Sequence, residues 1–164
     1  MIEISNATLH DLSTIQQIAE KTWWPTYREI LTAEQIRYML ETLYDVGSLK
    51  KAMEDGSQQF ILLKNEVGCQ AFASYGPWKK NPAVFKLHKI YVLPENHGKG
   101  YGAMMIEEIK KRLTKQNIRI LDLNVNRYNN AKNFYEKLGF KVIQEEDIPI
   151  GPYWMNDFVM RLTF

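Results

Sequence analysis

The sequence predicts a mixed α/β fold, a single sheet with helices on both of its faces. Three observations carry this. Two short apolar runs, Phe60 to Leu63 and Gly68 to Tyr75, flank Asn65-Glu66 as the arms of a hairpin would. A third apolar run, Phe85 to Val92, passes Pro94, enters a turn with glycines at 98, 100 and 102, and becomes a helical pattern at Met105, Ile106, Ile109 and Leu113. Finally, Arg119 to Val125 alternates Leu121, Leu123 and Val125 with Asp122 and Asn124, as a strand with two different faces does. Strands that pair as hairpins early and cross over helices later build this architecture.

The remaining elements follow in chain order. Ile2 to Ser5 reads as a short strand. Asp11 or Ser13 caps a first helix through Ile15, Ile18 and Ala19, which ends near Pro25. Thr32 and Gln35 have the spacing of a capping box for a second helix carrying Ile36, Met39, Leu40 and Leu43. Ser48 to Glu54 forms one or two further helical turns, closed by Gly56. Ala131 to Leu138 is a short helix stopped by Gly139. Two closing strands, Phe140 to Gln144 and Trp154 to Leu162, complete the sheet.

At 164 residues the chain is expected to form one domain, residues 1–164, with a real core. Its apolar fraction of 45% argues against disorder, and a net charge of +2 is too small to point to nucleic acid. The lone Cys69 excludes an internal disulfide and sits in a strand-like run, as an inert packed thiol does. Neither a signal peptide nor a spanning segment is evident, so the expectation is a cytoplasmic protein with no membrane partner.

The glycine turn is the most informative stretch. Glycines remove the side chains that keep a ligand away from the backbone, and the unpaired amides of a first helical turn face outward with the helix dipole behind them. That is an anion cradle suited to a phosphate or diphosphate, and Lys99 adds a mobile charge. The alternative is a tight turn and nothing more. Gly98 to Ala103 also fits G-x-G-x-x-A, with Asp122 some way downstream, but a dinucleotide fold does not suit it. Five residues separate Val92 from the first glycine, and Asp122 lies inside its strand. A P-loop fails because Gly100, not Ser or Thr, follows Lys99.

The glycine turn and the run Asn126-Arg127-Tyr128-Asn129-Asn130-Ala131-Lys132-Asn133-Phe134-Tyr135-Glu136-Lys137-Leu138-Gly139-Phe140 together resemble the GNAT superfamily of acetyl-CoA-dependent N-acetyltransferases. The turn is similar to that family's Q/R-x-x-G-x-G/A signature, with His97 in place of Gln or Arg. The resemblance implies the GNAT-type acyl-CoA N-acyltransferase fold, a central mixed sheet of six to seven strands. It implies acetyl-CoA as co-substrate, no metal, and transfer of acetyl to a primary amine. The pantetheine arm would lie between Lys89–Val92 and Leu121–Val125, pairing with main chain at Ile90, Tyr91 and Val92. The amides of His97, Gly98, Lys99, Gly100, Tyr101 and Gly102 would hold the diphosphate. Asn129 matches the asparagine on the cofactor arm, with Asn126 as the fallback. Lys132 and Lys137 are candidates for the phosphates, unless they form a solvated helix face. Tyr135 matches the tyrosine near the cofactor sulfur, where a phenol can protonate a departing thiolate. Its alternative is an aromatic packed beside Phe134. A backbone amide near Val92 would face the oxyanion.

An alkylamine, with a pKa of about 10.4, arrives as ammonium, so some group must take a proton. His88 is the candidate, placed by period two on the face of Ile90 and Val92, with Glu95 second. The stretch Thr22 to Tyr27, the helix at Tyr38-Met39-Leu40 and the tail Asp147 to Met160 look like the spermine/spermidine acetyltransferase branch, whose tail carries M-D-D where this chain has Met155-Asn156-Asp157. Trp23, Trp24 and Tyr27 would then wall a cation, and Asp157, Glu145, Glu146 and Asp147 would offset its charge, unless the tryptophans close the core and the acids form a solvated turn. A small-molecule or peptide amine is the expected partner, and a sheet edge is compatible with a homodimer. The alternative is a cofactor-binding sensor without turnover.

Overall fold

A computed structural model describes all residues, Met1–Phe164. Seven strands form one sheet: β1 (Glu3–Asn6), β2 (Gln59–Asn65), β3 (Gly68–Trp78), β4 (Asn81–Val92), β5 (Ile120–Asn126), β6 (Lys141–Ile150) and β7 (Tyr153–Thr163). Their spatial order is β1-β2-β3-β4-β5-β7-β6. Only β4 and β5 run parallel; every other neighbour is antiparallel. The parallel pair is joined by the crossover helix α4 (Tyr101–Lys115), as parallel strands require.

Helices α1 (Leu12–Tyr27), α2 (Ala33–Leu43) and α3 (Val46–Glu54) cover one face, where Ile15, Ile18, Trp23, Ile36, Met39 and Leu49 bury against Phe60, Leu62 and Phe72. Helix α4 and the short α5 (Ala131–Lys137) cover the other, where Met105, Ile106, Ile109 and Leu113 bury against Ile61, Leu63, Ala73, Leu121 and Leu123. Helix-period stripes thus meet strand-period faces on both sides of the sheet.

Helix α1 ends at Tyr27, near Pro25 as expected, where buried Trp23 and Tyr27 pack its last turn onto the core. Several boundaries differ from the sequence expectation for identifiable reasons. The box at Thr32 is half made: Thr32 accepts the Gln35 amide at 3.1 Å, but the Gln35 side chain donates to the Trp154 carbonyl at 2.8 Å and ties α2 to β7. Helix α3 begins at Val46, capped by Asp45. Strand β6 runs on to Ile150, so Glu145, Glu146 and Asp147 lie in a strand paired with β7 and not in a turn.

Candidate functional site

The parallel ladder between β4 and β5 is short. It runs from Val84↔Ile120 to Leu87↔Leu123 and then stops, although β4 continues to Val92 and β5 to Asn126. Beyond that point β4 stays paired with β3, and β5 with β7. The two middle strands therefore part, leaving a cleft with main chain on both walls. A bulge marks the parting: Ser74 pairs with Lys89 and Tyr75 with Leu87, so His88 has no partner on β3.

Which β4 groups face the cleft follows from alternation. The Leu93 amide donates to Gln70 O at 2.9 Å, so Leu93 and Tyr91 turn their main chain to β3. Ile90 and Val92 turn theirs to the cleft. Tyr91, expected to pair with the pantetheine arm, is thus corrected: its main chain belongs to the β3 ladder, and its ring packs on Phe72, Trp23 and Tyr44.

At the mouth of the cleft the glycine turn follows the short 3-10 turn Pro94–Asn96. Gly98 and Gly100 have φ of 85° and 81°, which only glycine adopts without strain, and space is open where their Cβ atoms would be. The N–H groups of Gly98, Gly100, Tyr101, Gly102 and Ala103 find no acceptor in the chain. The expected set is corrected at two positions. The amide of His97 donates to Pro94 O at 3.2 Å, and that of Lys99 to Asn96 O at 3.3 Å, so neither is free. The His97 ring sits with Nε2 2.9 Å from Val92 O, and Lys99 Nζ donates to Asn96 Oδ1 at 2.9 Å. Gly102 has a packing reason of its own, since a Cβ there would lie 3.0 Å from the Phe134 ring.

Tyr135, in α5, is 9% exposed, with its ring against Phe134 and Phe140. Its hydroxyl makes no hydrogen bond and is not sealed from solvent. Burial pushes its phenol far above the ordinary value, so it is a proton donor across the physiological range. Tyr27 and Tyr91 belong to the opposite core, where burial raises their phenols first, followed by Tyr91 acting on Tyr27 and Tyr44 on Tyr91, and then by Tyr135. Asp157 also acts on Tyr27.

Asp157 is 5% exposed, and its Oδ1 has no partner; Oδ2 accepts Asn124 Nδ2 at 3.2 Å. Asn124 also donates to Glu146 at 3.3 Å and accepts Lys86 Nζ at 2.9 Å. Desolvation pushes the Asp157 carboxyl up. Trp23 Nε1 is the other buried polar atom without a partner. An unpaired buried group costs about 1–3 kcal/mol, and the Trp23 ring lies beside those of Tyr44 and Tyr91. Of the expected aromatic wall, Trp23 and Tyr27 are inside. Trp24 is not: it faces outward, its Nε1 donating to Glu20 at 3.1 Å and its ring under Arg37. Glu145 and Asp147 are spent on Arg127, at 3.2 and 2.5 Å.

His88 is corrected. Leu87 and Ile90 both face α4, three residues apart, so the bulge breaks the period-two argument that placed His88 with Ile90 and Val92. It keeps an exposed surface, but desolvation, then the charges of Lys89 and Lys86, push its imidazole down to about 4. The bulge leaves His88 without a β3 partner and takes it out of the alternation that orders Ile90 and Val92 along the cleft. Asn129 uses its Oδ1 on the Ala131 amide at 2.9 Å, and Asn126 uses its own on Tyr128 at 2.9 Å. Lys132 pairs with Glu136 at 3.3 Å and lies over the Phe158 ring, while Lys137 is exposed without an ion pair in the last turn of α5. Both read as a helix surface. The residues missed by sequence reasoning are Asn124, which links two carboxylates, and Asn96, both polar residues beside motifs whose environment only the fold supplies.

A family profile described as an acetyltransferase (GNAT) domain matches residues 27–154. A spermidine N(1)-acetyltransferase of Thermoplasma acidophilum is 28% identical over 165 residues, covering 99% of this chain and 98% of that protein. An uncharacterised N-acetyltransferase of Mycobacterium tuberculosis is 33% identical over 76 residues, 46% of this chain and 49% of that protein. Among solved structures, the PaiA N-acetyltransferase of Thermoplasma acidophilum in complex with coenzyme A superposes with a TM-score of 0.84 at 26% identity, covering 100% of this chain and 99% of that one. The Escherichia coli ribosomal-protein-S18-alanine N-acetyltransferase shares the fold, with a TM-score of 0.74 at 19% identity over 99% of this chain and 94% of that one.

Proposed function

Because the chain belongs to the GNAT acetyltransferase family, we propose that it moves acetyl from acetyl-CoA to a primary amine of a linear cationic acceptor of the spermidine type. The observation that carries this reading is the parting of β4 and β5 beyond Leu87↔Leu123, in line with a turn of unpaired amides. An extended arm fits the cleft as an added strand, using the cleft-facing groups of Ile90, while the Val92 carbonyl already meets the His97 ring and a diphosphate fits the amides of Gly98 and Gly100 to Ala103. When bound, acetyl-CoA supplies an activated thioester.

The chain's own groups supply the rest. Asp157 takes the place first given to His88. Its unpartnered Oδ1 receives the acceptor's ammonium and removes a proton, directly or through water. Trp23 and Tyr27 line the approach with ring faces suited to a cation or its alkyl chain. After attack of the free amine on the carbonyl carbon, the Val92 amide faces the oxyanion. Tyr135 gives its proton to the thiolate as the carbon–sulfur bond breaks and is reprotonated through solvent, which also takes the second proton that the nitrogen sheds in becoming the neutral amide. The spermidine acetyltransferase relative and the buried acid support the acceptor class together.

A thiol-release assay over polyamines, amino acids, aminoglycosides and peptide N-termini tests this. Release with polyamines well above the other classes is expected. Cofactor binding with no release for any amine identifies a sensor, and release with peptides alone overturns the acceptor class.

A further inference from the structure

The amide side chain of Asn96 is 4% exposed although it lies in a loop. Its Nδ2 donates to Gln70 Oε1 at 2.5 Å, and its Oδ1 accepts Lys99 Nζ at 2.9 Å. Its main chain is spent too, the N–H on Leu93 O at 2.9 Å and the carbonyl on the Lys99 amide. Gln70, on β3 and 7% exposed, accepts the Leu93 amide with its carbonyl and anchors its own Nε2 on Gly68 O at 3.2 Å. One buried amide pair therefore joins a central strand to both ends of the segment from Leu93 to Lys99. Beyond it begin the open amides of Gly98 and Gly100 to Ala103.

We infer that Asn96 is a positioning residue for the anion turn: through Gln70 it fixes the turn to the sheet before any ligand arrives, and it parks the Lys99 ammonium at the turn's mouth. A loop held in its binding shape loses little freedom on binding, which is where preorganisation gains affinity. A buried amide pair suits this task, because removing one partner leaves the other unsatisfied and the loop free to drift. The inference rests on the proposed diphosphate role of the turn.

The test compares two donors, acetyl-CoA and acetyl-pantetheine, which carries the same thioester without the diphosphate. In Asn96→Ala, kcat/KM with acetyl-CoA should fall about tenfold or more, mostly through KM, while kcat/KM with acetyl-pantetheine stays within about twofold. Gln70→Met, nearly isosteric and outside the site, should show the same selective loss at a smaller size and serves alone if Asn96→Ala does not fold. Equal losses on both donors overturn the inference in favour of a general structural role. Undiminished preference for acetyl-CoA in both variants overturns it as well. A wild type that does not prefer acetyl-CoA over acetyl-pantetheine overturns the diphosphate reading, and this inference with it.

Discussion

The two halves of the cleft are built from different material. On the proposed donor side the groups left free for a ligand are main-chain amides, those of Gly98, Gly100 to Ala103, Ile90 and Val92. On the proposed acceptor side the candidate groups are side chains: the Asp157 carboxylate and the rings of Trp23 and Tyr27. Main-chain sites depend on backbone shape and tolerate side-chain change that keeps it; side-chain sites depend on a few particular atoms. On the proposed reading the contrast explains why the donor half is legible as a motif while the acceptor residues are scattered over α1 and β7.

Substitutions should separate the halves. Tyr135→Phe, which keeps the ring and removes the proton, should lower kcat about 100-fold or more with the acetyl-CoA dissociation constant unchanged, measured by steady-state kinetics and calorimetry. Equal turnover would remove the proposed acid. Asp157→Asn should lower kcat/KM for the amine about 10- to 100-fold, the range for losing a charge-assisted contact, and leave KM for acetyl-CoA in place. Gly100→Val should weaken acetyl-CoA binding about tenfold, since a β-branched residue at φ 81° is strained by roughly 1–3 kcal/mol. A normal dissociation constant there would contradict the cradle. Trp24→Ala should change turnover less than about twofold, because that ring faces Arg37 and not the cleft.

One prediction concerns the fold beneath the acceptor half. Lys89 is held by Gln58 at 3.0 Å and by the rings of Tyr44 and Phe60, without an acid partner, and desolvation pushes its ammonium down to about 8. Below pH 8 the folded chain carries that buried charge at a cost. Between about 8 and 10.5 the unfolded chain holds the proton more tightly, so folding is favoured progressively as pH rises. Lys89→Met should therefore exceed wild type in thermal stability below pH 8, and the gap should narrow toward pH 10. A constant gap would place the effect in packing alone.

Much of the fold was legible because its signals are periodic or conformational. The stripe at Met105, Ile106, Ile109 and Leu113 and the alternation from Leu121 to Val125 marked the α4 face of the sheet, and the glycines marked the turn that leads to α4. What failed did so where a tertiary contact overrides a local rule. The bulge at His88 has no sequence mark, and it undid the period-two placement of the proposed base. The amides of His97 and Lys99 looked as free as their neighbours, until the 3-10 turn supplied their acceptors. Trp23 and Trp24 are adjacent and chemically alike, yet helix geometry sends one into the core and the other to Arg37. Asp157 and Glu145 carry the same charge, but only burial leaves Asp157 unpaired.

In the proposed mechanism, bare amides after β4 receive the diphosphate and so aim the thioester into the parted strands. Amide nitrogen–proton NMR correlation spectra recorded during titration with coenzyme A test it most directly. The largest shifts are expected at Gly98, Gly100, Tyr101, Gly102 and Ala103, with a second set at Ile90 and Val92. Shifts confined to the separate groove between β1 and α4, lined by Ile2, Ile4, Met104 and Lys111, with the glycine turn unmoved, would contradict it.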